Sequence, residues 1–274
     1  MISLASRFIV LTILTVSLAA LSAAQVSELE RFQGEEAEDF LLNAKIVGMK
    51  RTDRGITLPH KATLERQLVR HFAIFKTIDV FKRGLTKLAS GAVEVDFQDS
   101  RKTEVAAYEL DKMIGLGMVP ATVERWHAGD RGSMQWWIDD SMSESDRLKR
   151  NIPPPDIAVW NDHMYTMRLF DNLIFNVDRN ASNMLITPDW EVCLIDHSRT
   201  FRPSKELWQE TTLLRFSRTV LAGIEKLTED GMKDRLGDYL SIGQIRTVRV
   251  RRDLILEKAA ARIAEVGETR ALFN

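Results

Sequence analysis

Cysteine is nearly absent from this 274-residue chain, and Cys193 is the only one. A single thiol excludes an internal disulfide framework. The fold must rest on its own apolar core, which a chain of this length can supply. In its apolar strand pattern, Cys193 reads as an inert core residue. His60, His71, His127, His163 and His197 never fall at a His-x-x-x-His interval, which argues against a zinc site. No serine sits in Gly-x-Ser-x-Gly, which argues against an ordinary serine hydrolase. Neither sign of charge dominates: the net charge is −1 at pH 7, so no nucleic-acid footprint is expected. No Gly-x-Gly-x-x-Gly occurs. The nearest run, Gly115-Leu116-Gly117-Met118-Val119-Pro120, lacks the third glycine and ends a helix rather than opening one. No basic amphipathic stretch marks a membrane-binding face.

One long apolar run is present, from Phe8 to Leu21, after the positive charge of Arg7 and before Ser22-Ala23-Ala24. It falls short of the roughly 20 residues that a spanning helix needs. With small residues at its end it reads as a secretory signal peptide cut after Ala24. Cleavage would remove Arg7 and take the net charge from −1 to −2. The expected compartment is therefore periplasmic or extracellular. Asn180-Ala181-Ser182 is the only Asn-x-Ser/Thr sequon. A glycan there would obstruct the site argued below, which fits bacterial export better than a eukaryotic secretory lumen.

The whole chain is 45% hydrophobic and 28% charged, ordinary for a globular protein. Residues 25–43 read as an exposed leader with a short helix. Lys45 to Arg51 and Lys61 to Glu65 alternate as strands, with a turn at Thr52-Asp53-Arg54-Gly55. His71 to Ile78 is an apolar strand containing Lys76. Phe81 to Phe97 is ambiguous, with a turn at Ser90-Gly91. Ser100 to Gly115 is a helix with Ser100 as N-cap and Val105, Tyr108, Leu110 and Ile114 on its apolar side. Strands follow at Pro120–Trp126 and Ser133–Ile138, joined by a loop over 127–132. Trp126, Trp136 and Trp137 are assigned to core or cleft wall. Asp139 to Asp156 is polar, ends in Pro153-Pro154-Pro155, and reads as a loop between lobes. Trp160 to Phe175 is a helix. A hairpin turning at Thr187-Pro188-Asp189 follows it. Helices are then expected near 204–227, 232–240 and 242–266. The order predicts an α+β fold of two lobes: a β-rich N-lobe over 44–138, an interlobe loop over 139–156, and an α-rich C-lobe over 157–274.

The chemistry concentrates around that hairpin. Asp178 is followed five residues later by Asn183, and thirteen residues after that by Asp196. This is the spacing of a kinase catalytic loop and its metal-binding aspartate. Asp178 would accept the proton of an acceptor hydroxyl, and Asn183 and Asp196 would hold Mg2+ or Mn2+ on the nucleotide. Lys76, after Ala73-Ile74-Phe75, suits a strand lysine for the α/β-phosphates, and Glu104 suits the helix glutamate that holds it. Glu109 lies on another helix face and is the weaker partner. The backbone near Ile138–Asp140 is the candidate adenine hinge. Gly48 and Gly55 could let backbone N–H groups approach phosphate. Arg179 should make an ion pair near the base. These parts predict a protein-kinase-like fold that binds ATP and metal and acts on a hydroxyl-bearing protein, sugar or lipid.

Asn176-Val177-Asp178-Arg179-Asn180-x-x-Asn183-x-Leu185-Ile186, with Leu194-Ile195-Asp196-His197, resembles the catalytic core of the phosphatidylinositol 3- and 4-kinase-like superfamily. It is also similar to the atypical secretory-pathway kinases of the Golgi casein kinase type. The resemblance covers roughly Lys45 to Pro203. It implies an exported ATP-dependent phosphotransferase, with a lipid kinase or a nucleotide-binding module of little catalysis as alternatives. His197 and Ser198 depart from the Phe and Gly of ordinary protein kinases, and no Ala-Pro-Glu follows.

Overall fold

In the computed structural model, residues 32–52, 59–87, 91 and 93–274 are described. The signal peptide, most of the first hairpin turn including Gly55, and Ser90 of the second turn lie outside them.

Helix α1 (Glu35–Asn43) is the first element among the described residues, with Glu35, Glu36 and Glu38 at its N-terminal, positive end. The sequence suggested an exposed leader. Instead Ala37, Phe40 and Leu41 of α1 are buried in the core. Five strands form one antiparallel sheet: β1 (Lys45–Arg51), β2 (His60–Arg66), β3 (Val69–Lys76), β6 (Thr122–His127) and β7 (Asp130–Trp136), in the order β1-β2-β3-β7-β6. The β6–β7 ladder runs to His127↔Asp130, closer to the tip than expected. Ala128 at φ 51° and Gly129 at φ 90° make the two-residue left-handed turn whose twist matches a hairpin. Trp136 is buried, but Trp126 is 66% exposed on the edge strand, which corrects its assignment to the core.

Strands β4 (Asp79–Lys87) and β5 (Val93–Ser100) form a separate two-stranded ribbon that feeds helix α2 (Arg101–Ile114). Ser100 caps α2 by accepting the Lys102 N–H, and Gly115 ends it in the left-handed region. Val105, Tyr108, Leu110 and Ile114 are all buried, each contributing about 1.5–3 kcal/mol where fully apolar. The buried Asp111 carboxylate accepts N–H groups of Gly117, Met118 and Val119 at 2.7–2.9 Å, fixing the path from α2 to β6.

The segment read as an interlobe loop contains β8 (Met142–Ser143) and α3 (Glu144–Lys149). Ser143 caps α3, and β8 joins a second sheet in the order β10-β9-β8, with β9 (Met184–Ile186) and β10 (Val192–Leu194). Polar composition and the proline run masked these short elements. Helix α4 (Ile157–Ile174) leads into the hairpin of β9 and β10. Residues 204–227 are mostly not helical: a 3-10 turn at Glu210–Thr212 and β11 (Phe216–Ser217) precede the one α-helix there, α5 (Arg218–Glu225). Ser217 is the cap that starts α5. Gly223 lets α5 pass α2, because a Cβ there would lie 2.2 Å from the Ile114 carbonyl oxygen. Helix α6 (Glu229–Leu236) and α7 (Ile242–Val266) follow, and a capping box of Ser241 and Gln244 starts α7. The short α8 (Glu268–Ala271) leads to β12 (Leu272–Phe273), which pairs with β11.

One apolar cluster runs from Ala37 to Ala259 and joins both halves. Arg251 is fully buried, without a carboxylate partner among the described residues. Its Nε donates to the Leu173 carbonyl at 2.8 Å, and its Nη1 donates to the carbonyls of Arg202 and Ser204. Burial lowers its pKa to about 9.

Candidate functional site

Lys76 ends β3, opposite Ser133 of β7, and its side chain is largely buried. Its Nζ donates to Glu104 Oε1 and, at 2.8 Å, to Asp196 Oδ1. Glu104 stands on α2, one turn before the buried Tyr108, and is itself buried. Its other oxygen accepts the His197 N–H at 3.0 Å. Strand, helix and hairpin are thus joined at one ammonium. Burial alone would lower the Lys76 pKa, but Glu104 and Asp196 outweigh it and raise it. Burial raises the Glu104 pKa against the pull of Lys76. For Asp196 burial is overcome by Lys76 and Arg179, and the pKa falls. Glu109 turns away to Lys112 and Arg235.

The local backbone explains how Asp196 reaches this point. It lies in the left-handed region at φ 61°, uncommon for a non-glycine residue. The Ile195 N–H donates to the Asn183 carbonyl at 3.1 Å, so the hairpin sets Asn183 beside Asp196. The Asn183 side chain donates to the Asp178 carbonyl at 3.2 Å, which closes the loop. Asn180 Oδ1 accepts the Ser182 N–H and starts a 3-10 turn over Ala181–Asn183. Arg179 pairs with Asp171 at 3.0 Å and donates to the carbonyls of Asn183 and Ile195 at 2.8 and 2.9 Å. Its Nη2 also lies 2.9 Å from His197 Nε2. Because Arg179 can only donate, His197 Nε2 is the acceptor, and the imidazole proton belongs on Nδ1. Burial and the flanking cations keep His197 neutral, with its pKa well below the usual value.

The Asp178 carboxylate is half-buried, and burial raises its pKa. Arg199 Nη1 lies 3.4 Å from Asp178 Oδ1 and opposes that rise. Arg199 and Arg202 both donate to Glu94 on the ribbon, and Arg199 stands over the Phe97 ring at 5.4 Å.

Asp99, the residue before the α2 cap, was not foreseen. Its pKa is raised, chiefly by burial and also by Asp196, while Ser198 and Lys76 pull it down. Its Oδ1 is buried with no hydrogen-bond partner among the described residues. An orphaned carboxylate oxygen beside a second carboxylate is a donor set that suits a hard divalent cation. Asp99, Asp196 and Asn183 are therefore the residues that could hold one. Neither Asp99 nor Arg199 belongs to a motif. The available signals were an acid directly before the helix cap and a cation three residues after Asp196.

The Ile138 carbonyl accepts the Ser141 hydroxyl at 3.0 Å at the junction of the halves. Gly48 lies at a bulge in β1. Cys193 is buried, and burial pushes its thiol up to about 12.

No family model matches this chain, and no curated protein matches it. Solved structures do. A Fam20 protein of hydra, determined with sugar, aligns with a TM-score of 0.64 at 14% identity, over 86% of this chain and 90% of that one. A Golgi casein kinase aligns with a TM-score of 0.63 at 13% identity, over 86% of this chain and 76% of that one. Another structure described as the Golgi casein kinase, with Mn and ADP bound, aligns with a TM-score of 0.60 at 14% identity, over 86% and 78%. CtkA, a proinflammatory kinase of Helicobacter pylori, aligns with a TM-score of 0.53 at 9% identity, over 82% and 98%. The chain has an α+β, kinase-like fold, with a β-rich sheet region and a helical part, similar to these atypical kinases.

Proposed function

We propose that this chain is an atypical kinase that transfers the γ-phosphoryl group of ATP to a hydroxyl of a protein or sugar. The observation that carries the reading is the single ammonium of Lys76 joined to Glu104 and Asp196, with Asp178 tied through its carbonyl to Asn183 in the adjoining loop. Phosphoryl transfer depends on positioning and charge neutralisation more than on covalent chemistry with the protein. Lys76 would orient the α/β-phosphates, and Glu104 would hold Lys76 in place. Asp178 would take the acceptor proton as the acceptor oxygen bonds to phosphorus and the β,γ-bridging oxygen leaves with ADP. Asp196, Asn183 and Asp99 would hold Mg2+ or Mn2+, whose role is to neutralise phosphate charge. The backbone at Ile138 is the proposed adenine contact.

The test is transfer of labelled phosphate from ATP by the purified chain to protein, sugar and inositol-lipid acceptors. Wild type should transfer label and Asp196→Ala should not; equal label with both sinks the assignment. A second reading is a kinase-fold module that binds nucleotide with little turnover. The direct Lys76–Asp196 contact favours it, because that contact occupies one oxygen that a metal would need. Metal-dependent thermal shifts with ATP but no turnover would select the module. Label on an inositol lipid alone would select the branch resembling the phosphatidylinositol kinases. We place the protein outside the cytoplasm, in a periplasm or the extracellular space, on the signal-like N-terminus.

A further inference from the structure

The ribbon β4–β5 has two unlike faces. Leu85 pairs directly with Val95, and Val93 lies two residues along, so these three share a face. Glu94, between the valines, points the other way to Arg199 and Arg202. The outer face is bare. Leu85 is 78% exposed, Val95 61% and Val93 59%. A soluble protein seldom leaves such apolar side chains together on a protruding element.

Charge separates along the same ribbon. Strand β4 carries Lys82, Arg83 and Lys87 against Asp79, and among the described residues Arg83 and Lys87 have no ion-pair partner. The acids of β5 are used internally. Glu94 is held by the two arginines, Asp96 accepts the Gly84 N–H at 2.8 Å, and Asp99 lies in the buried centre. What faces outward is apolar and cationic. Two-residue alternation could not reveal this face in the sequence, because a bulge between Lys82 and Leu85 shifts the register.

We propose that this ribbon docks on an anionic phospholipid surface. Leu85, Val93 and Val95 enter the headgroup boundary, and Arg83 and Lys87, the latter paired directly with Val93, lie at the phosphates. Apolar insertion beside unpaired cations is the combination that anionic bilayers select. Because the inner face holds Arg199 beside Asp178, docking brings the catalytic centre close to the bilayer surface.

The experiment uses the full chain carrying Val95→Cys with an environment-sensitive fluorophore; the buried Cys193 is out of the reagent's reach. The probes are phosphatidylcholine vesicles with and without phosphatidylglycerol. A blue shift is expected only with phosphatidylglycerol, and high salt should reverse it. A label at Leu214→Cys, exposed elsewhere on the molecule, should not shift. In the unlabelled chain Arg83→Glu with Lys87→Glu should weaken partitioning by about tenfold or more without changing the melting temperature. A hairpin label that stays solvent-like on vesicles that bind the chain overturns the proposal. So does partitioning unaltered by the charge reversal. A shift seen only on adding a protein phosphoacceptor would make the face a protein contact and overturn it equally.

Discussion

Arg199 Nη1 lies 3.4 Å from Asp178 Oδ1, while the same guanidinium is held by Glu94 from the ribbon. The proposed base thus sits beside a cation set by a separate element.

That contact has a pH consequence. Asp178 can accept a proton only when ionised, so turnover should fall as pH drops through its pKa. Burial raises that pKa and Arg199 lowers it. Arg199→Gln removes the lowering influence, so the acid limb of the kcat/KM profile should move to higher pH. An unmoved limb would show that Asp178 does not govern it.

The Lys76–Glu104 pair should dominate local stability. Lys76→Met leaves Glu104 buried without its cation, at a cost of about 3–5 kcal/mol in urea unfolding at neutral pH. Glu104→Gln in the same chain should recover much of this, giving a coupling well beyond additivity. A carboxyl whose folded pKa is raised contributes stability that is present at low pH and lost as pH rises through that pKa. Burial already raises Glu104, and losing Lys76 raises it further. The single variant should therefore regain stability on acidification. Additive losses, or no pH response, would contradict this.

Asp99 makes a prediction of mixed sign. Its carboxylate is buried, repelled by Asp196, and has an orphaned oxygen. Asp99→Asn should stabilise the metal-free protein, by about 1 kcal/mol. It should also weaken the thermal shift produced by Mn2+ with ADP. If the shift survives intact, Asp99 is not a metal ligand.

Much of the scaffold was legible where local chemistry is decisive. Helix α2 announces itself through Ser100, its apolar side and Gly115, and α7 through a long run with few breakers. The pairing of Lys76 with Glu104 could be expected from the kinase-like pattern of residue types in chain order, whereas the direct contact of Lys76 with Asp196 was not foreseen. Residues 204–217 have helix-forming composition, yet they run as irregular chain to a short strand paired with β12, a tertiary contact that composition does not encode. Trp126 was misplaced because an edge strand can leave an aromatic ring in water beside Arg131. Asp99 and Arg199 escaped notice for a related reason. Their chemistry comes from what buries or faces them, and the ribbon that does this was itself ambiguous in sequence.

The buried Arg251 carries a consequence for the order of events in folding. Its guanidinium covers the carbonyls of Leu173, Arg202 and Ser204, which flank the proposed catalytic segment. These groups lie roughly fifty to eighty residues earlier in the chain. At synthesis rates of about 5–20 residues per second, they wait roughly 2–15 s for their partner. During that interval the segment beyond Asp196 lacks its anchor. The centre is completed late, after the helix that contributes no reactive group to it has arrived.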